Sequence, residues 1–220
     1  MDSVSILQLP ASTQRLIHQW HRYTVGGSTP LPVFLSETRG SLLWDVEGKE
    51  YIDFISMAGA VNQGHAHPKV IAALKQQLDK ASLVNHSANN ALWPAFSQMM
   101  CQRFGYDKIA SAVSGTDGVD VACKIARKWA ITKKRVPPSD VLVLAVSDCF
   151  HGLASGVWGL QDRSHKRDEY GINDKHHINY DPSTQSVLTY GDLSRMTQCI
   201  EKFHLVIAAV ILEPIRALLP

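Results

Sequence analysis

No stretch of the chain approaches the ~20 consecutive apolar residues that a membrane-spanning helix needs. Cysteine is scarce and scattered. Cys101, Cys123, Cys149 and Cys199 form no C-x-x-C pair, which argues against a disulfide framework and for reduced thiols in a cytoplasmic protein. An excess of either charge is also lacking: 22 Lys and Arg stand against 20 Asp and Glu. The resulting net charge of +2 is too small for an electrostatic footprint on nucleic acid. The one dense basic stretch, RKWAITKKR (127–135), closes a helical pattern, where cations favour the helix dipole, and reads as a solvated helix end. The opening residues, MDSVSILQLPASTQ, have neither a basic n-region nor a long apolar run, against a secretory signal, and are poor in Arg for a transit peptide. Repeats and low-complexity tracts are absent as well. What remains, 45% apolar and 19% charged residues in a chain of 220, is the composition of a soluble globular protein with a sizeable core.

Several segments carry secondary-structure patterns. STQRLIHQWHRY (12–23) predicts a first helix stopped by Gly26, Gly27 and Pro30. SLLWDVEGKEYIDF (41–54) predicts a hairpin turning at Glu47-Gly48, with Trp44, Tyr51 and Phe54 in a half-buried sheet. PKVIAALKQQLDKA (68–81) predicts a helix with Pro68 in its first turn and Val70, Ile71, Leu74 and Leu78 on one face. Further helices are expected over 91–104, 117–130 and 192–203, the last capped by Asp192. KIASAV (108–113), VLVLAV (141–146) and LVIAAVIL (205–212) are short apolar runs of strand length, and a polar, His-rich loop is expected over 161–186. Strands alternating with helices predict an α/β fold with a mainly parallel sheet and a small N-terminal lobe.

The most informative segment is Ser114-Gly115-Thr116-Asp117-Gly118-Val119-Asp120, which runs into VACKIARKW (121–129). An apolar run before it and a helical pattern after it make a strand, a tight turn and a helix N-terminus. Free backbone N–H groups and the positive end of a helix dipole then converge where a phosphate can bind. An ordinary strand–turn–helix junction with Ser114 as a cap accounts for the same residues. His65 and His67 in NQGHAHP (62–68) have metal-like spacing, but no third ligand is evident, and a helix-entry loop is favoured over a zinc site.

Four segments in this order, LWDVEGKEYIDFISMAGAVNQGHAHPKV (43–70), SGTDGVDVACKIARKW (114–129), DCFHG (148–152) and LEP (212–214), resemble a class III, fold type I, pyridoxal-phosphate aminotransferase. The wording AVNQGHAHP and ACKIARKW is most similar to ornithine aminotransferases, and the resemblance runs from about residue 35 to Pro214. It implies a fold type I PLP-transferase architecture, with residues 1–66 as a small lobe and 67–220 as a truncated PLP-binding large domain. It implies that Gly115 and Thr116 bind the cofactor phosphate, that Phe150 lies over the pyridine ring followed by His151, and that Glu213 lines the pocket. Glu213 follows a strand, where ligands of parallel sheets bind. The NQGHAHP segment would sit at the pocket mouth and the subunit interface. The implied activity moves an amino group from an ornithine-like amino acid to a 2-oxo acid in a dimeric enzyme.

Against this pattern, the chain lacks the L-G-K-A-[IL]-S-G-G run whose lysine forms the Schiff base, and the Asp-Glu-x-Gln segment whose aspartate pairs with the pyridine nitrogen. No catalytic residue is therefore assigned. The F-H-G-R of ornithine aminotransferases becomes Phe150-His151-Gly152-Leu153, which removes a bidentate partner for a carboxylate. The tyrosine before A-V-N-Q-G-H is replaced by Ala58, and E-P-I-Q-G-E becomes Glu213-Pro214-Ile215-Arg216-Ala217-Leu218. A sheet halted after LVIAAVIL would leave strand edges and apolar faces open to aggregation or capture by a partner. Three readings stay open. The first is an enzyme whose lysine half lies elsewhere, and the second an inactive relative that pairs with a full-length aminotransferase. The third is a non-functional remnant.

Overall fold

The computed structural model describes residues 8–25, 31–80, 88–161, 170–171 and 174–215. The chain divides into two compact units, Met1–Ala95 and Phe96–Pro220. Among the described residues no helix is long and apolar enough to cross a membrane.

In the first unit, helix α1 (Ala11–Tyr23) buries Thr13 and Ile17, which are one turn apart on the same face. The expected stop at Gly26, Gly27 and Pro30 lies outside the described residues. The hairpin forms as strands β2 (Leu42–Asp45) and β3 (Glu50–Ile52), paired with Leu43 opposite Tyr51. Its turn is organised by Asp45, whose carboxylate accepts the Glu47 and Lys49 amides at 2.9 Å each and the Tyr51 hydroxyl at 2.7 Å. Gly48 supplies the left-handed residue of the turn, φ +79°. A third strand, β1 (Leu35–Arg39), pairs antiparallel with β2 and was not legible, because LSETR is mostly polar and mostly exposed. Phe54 corrects the hairpin reading: it lies beyond the sheet and is 91% exposed. Helix α2 (Pro68–Leu78) starts at Pro68 as expected and ends three residues short of Ala81; no residue of it is buried, so its apolar face stands open.

Helix α3 (Trp93–Phe104) precedes the second unit's α/β core. That core comprises α4 (Gly115–Thr132), β4 (Leu142–Leu144), β5 (His177–Ile178), α5 (Leu193–Phe203) and β6 (Ile207–Val210). The three strands form a parallel sheet in the order β5-β4-β6. The central strand is buried throughout, and its residues alternate between two cores. Leu142, Leu144 and Val146 join Ile178, Leu188, Cys199 and Ile207 on one face; Val143 and Ala145 join Cys123, Val157 and Leu160 on the other. This two-sided burial is why VLVLAV shows no polar alternation. All four cysteines are free, and burial pushes the Cys123 thiol up to about 11.

Two expectations fail here. KIASAV (108–113) forms no strand, and Val113 is 99% exposed. A strand requires a neighbour, and none among the described residues pairs with this segment. The expected 161–186 loop contains β5, whose two residues are too few to show a period; residues 162–169 and 172–173 of that loop lie outside the described residues. Asp192 does cap α5, accepting the Arg195 amide at 3.0 Å.

Candidate functional site

Helix α4 starts where the apolar run 108–113 ends. Ser114 is its N-cap, and its hydroxyl accepts the Asp117 amide at 3.2 Å. The Gly118 amide goes to the Ser114 carbonyl at 3.0 Å. Helix geometry leaves the Gly115 and Thr116 amides without intrahelical acceptors. A Cβ on Gly115 would meet nothing within 4 Å, so the first residue of the helix faces open space on its Cβ side.

The DCFHG loop comes to this helix end. Asp148 holds a left-handed φ of +57° and Gly152 a φ of +101°. A Cβ on Gly152 would lie 2.7 Å from the Thr116 Cβ and 2.8 Å from its Cγ2. Only glycine lets the loop and the helix meet this closely. The buried Gln161 side chain secures the contact from below, donating to the Gly152 carbonyl at 3.0 Å.

Glu213 arrives from beyond β6. Its carboxylate accepts the Phe150 amide at 3.0 Å, and its own amide donates to Cys149 Sγ at 3.5 Å. Phe150 is 45% exposed, which leaves ring surface for a ligand, whereas His151 is only 4% exposed and its buried Nε2 has no hydrogen-bond partner among the described residues. Burial pushes the His151 imidazole below its ordinary value, and the Glu213 carboxylate offsets part of that shift. The ring is therefore neutral near pH 7.

Thus Thr116 is against the Phe150-His151-Gly152 loop, and Glu213, from beyond β6, bonds to that loop at the carboxyl ends of parallel strands. The chemistry available is a pair of helix-end amides for an anion, a half-exposed aromatic face and one unsatisfied buried imidazole nitrogen. These fit a planar, phosphate-bearing group. Leu153 is 56% exposed and offers no hydrogen bond, and Ala58 stands in a run of left-handed residues, Ser56, Met57 and Ala58, with φ of +49°, +51° and +54°. The His65 Nε2 meets the Asp53 carboxylate at 2.8 Å, and among the described residues no group of three His, Cys, Asp or Glu side chains is placed to hold a metal ion. Arg216, Ala217 and Leu218 lie outside the described residues. Gln161 and Tyr190, which help to hold the loop and the Glu213 segment, went unmarked in the sequence, and Cys149 was marked only as a thiol within DCFHG; Tyr190 bonds to a residue 23 positions away, beyond any local pattern.

This architecture is the fold type I of pyridoxal-phosphate-dependent transferases. The structure of the ornithine aminotransferase from Toxoplasma gondii aligns with a TM-score of 0.83 and 25% identity, covering 96% of this chain and 47% of that one. The acetylornithine aminotransferase from Elizabethkingia anophelis aligns with a TM-score of 0.72 and 27% identity, covering 93% of this chain and 45% of that one. Among curated proteins, an ornithine aminotransferase of Emericella nidulans is 33% identical over 206 residues, 94% of this chain and 45% of the relative. One from Schizosaccharomyces pombe is 32% identical over 219 residues, 98% of this chain and 49% of the relative. The family model of class-III aminotransferases matches residues 23–217. The chain belongs to the class-III aminotransferases, is similar to ornithine aminotransferases, and spans about half the length of the curated relatives it matches.

Proposed function

We propose that the chain supplies the cofactor-cradling part of an ornithine aminotransferase-like enzyme. That enzyme would transfer an amino group from an ornithine-like amino acid to a 2-oxo acid. The observation that carries this reading is the meeting of Thr116 with Gly152 and of Phe150 with Glu213 at the strand ends. The Gly115 and Thr116 amides and the Thr116 hydroxyl would hold the phosphate of pyridoxal phosphate, and Phe150 would cover the ring. His151 would offer its buried Nε2 to a polar group, and Glu213 would fix the loop carrying both. When bound, the cofactor supplies the electron sink on which amino groups are exchanged. The lysine that the family links to it is absent from these 220 residues, so the chain alone is inactive in this reading. A longer form of the polypeptide or a second polypeptide would provide it.

The test is to add pyridoxal phosphate to the 220-residue protein and record absorption before and after borohydride reduction. Reversible binding without a reduced adduct is expected. A stable adduct mapped to one lysine would show a surrogate residue and overturn the inactive reading. No binding at all would remove the cofactor-cradling role.

The open apolar face of α2, with Val70, Leu74 and Leu78 each more than half exposed, favours a second reading, an inactive relative that pairs with a full-length aminotransferase in the cytoplasm. Two similar plant ornithine aminotransferases are named as mitochondrial, so fractionation should accompany the test. Co-purification of a full-length aminotransferase with the tagged chain is expected on this reading; recovery of the chain only as an aggregate of itself would refute it.

A further inference from the structure

Tyr190 stands outside every motif that marks the site, yet the strand exits meet on it. Its hydroxyl donates to the Glu213 carbonyl at 3.0 Å and lies 3.4 Å from the Pro214 carbonyl. Its backbone amide donates to Ser147 Oγ at 3.2 Å. Ser147 follows β4, and its own amide donates to the Leu188 carbonyl at 2.8 Å. Tyr190 therefore ties the segment leaving β4 to the segment leaving β6. The first of these carries Phe150 and the second carries Glu213. The Phe150 amide to Glu213 carboxylate bond, at 3.0 Å, closes the same ring of contacts from the other side.

We infer that Tyr190 is a positioning residue of the proposed cofactor site. Its hydroxyl fixes the Glu213 backbone, so that the carboxylate reaches the Phe150 amide and sets the plane of the aromatic ring. This rests on the proposed role of Phe150 and Glu213 for its functional meaning, but the geometric link does not. The Tyr190 ring also packs against the core of Leu144, Ile178, Leu188 and Cys199, so a merely structural tyrosine is the competing account. The two accounts differ in what the hydroxyl alone does.

Tyr190→Phe keeps the ring in that core and removes only the donor. Amide hydrogen exchange, read residue by residue by NMR on the full chain without ligand, decides between them. Exchange at the Phe150 amide is expected to accelerate ~5-fold, the scale of one lost hydrogen bond. The Ala145 and Leu188 amides, which donate to Ile178 and Asn179 within the core, should keep their wild-type rates. Unchanged exchange at Phe150, or equal acceleration at Ala145 and Leu188, would overturn the inference. If Tyr190→Phe fails to fold, Tyr190→Met, an apolar side chain that also lacks the hydroxyl, is judged by the same amides. Dissociation constants for pyridoxal phosphate measured on both proteins separate the two levels. Failure of the wild type to bind removes the cofactor reading and leaves the exchange result standing. Binding by the wild type with ~5-fold weakening in the variant supports both.

Discussion

Gly152→Ala probes the contact on which the site depends. Two effects add. Gly152 has φ +101°, a conformation that a side chain strains by ~1–3 kcal/mol. Its new Cβ would also overlap the Thr116 side chain, with the Thr116 Cβ at 2.7 Å and Cγ2 at 2.8 Å. The Thr116 Cβ is fixed by the helix backbone and cannot swing aside, so the loop or the start of α4 must shift, an overpacking strain of ~1–3 kcal/mol. The sum is ~2–6 kcal/mol, a large part of the ~5–15 kcal/mol that stabilises a typical domain. Urea unfolding followed by circular dichroism would measure it as a lower midpoint at unchanged slope. Gly115→Ala is the control. Its Cβ meets nothing within 4 Å and its φ is not left-handed, so stability should stay level or rise by up to ~1 kcal/mol. In a Thr116→Ala background the obstructing Oγ1 and Cγ2 are gone and only the Cβ remains, and Gly152→Ala should lose ~1–2 kcal/mol of its effect while the φ strain persists. A Gly152→Ala effect below ~1 kcal/mol, or the same effect in both backgrounds, would refute the close-approach argument.

Other residues make independent predictions. Burial pushes the Asp174 carboxyl up, but the hydrogen bonds from the His177 ring and the His176 and His177 amides outweigh it and hold it at about 2. That depressed value stabilises the fold by ~2 kcal/mol above pH 4, an increment lost as pH falls through 2. Asp174→Asn should lower stability by about that much at neutral pH and flatten the acid limb of an unfolding-versus-pH curve; a parallel curve would contradict it. His151 is lowered instead, so the unfolded chain takes up its proton first. Stability should be complete above pH 6.5 and decline as pH falls below it, with the ring resonances of His151 titrating below the ordinary imidazole value. A normal or raised His151 titration would remove the buried-neutral assignment. Asp192→Ala removes the cap of α5 and should lower stability by ~0.5–2 kcal/mol in thermal or urea unfolding, while Asp192→Asn should recover most of it.

Local chemistry made much of the framework legible. Ser114 and Asp192 announced helix starts because a short polar side chain can bond the amide three residues on, and both do so. Glu47-Gly48 marked the hairpin, although the sequence pattern missed Asp45, whose carboxylate gathers two amides and the Tyr51 hydroxyl. Gly115, Thr116, Phe150, His151 and Glu213 were singled out by resemblance, and their packing could not have been. The distance from Gly152 to Thr116 depends on how a loop after β4 returns over a helix that precedes it.

Determined by the sequence itself were the helix starts, the apolar runs of VLVLAV and LVIAAVIL and the class-III motif order. All of these act within a few residues, or repeat a pattern on one face. Tertiary structure alone decided that KIASAV finds no strand partner among the described residues, that two residues at His177 become a strand, and that Tyr190 joins Ser147 to Glu213. Strand identity and long-range hydrogen bonds depend on partners far away in the chain, and the free energy that selects those partners comes from burial shared across the whole unit.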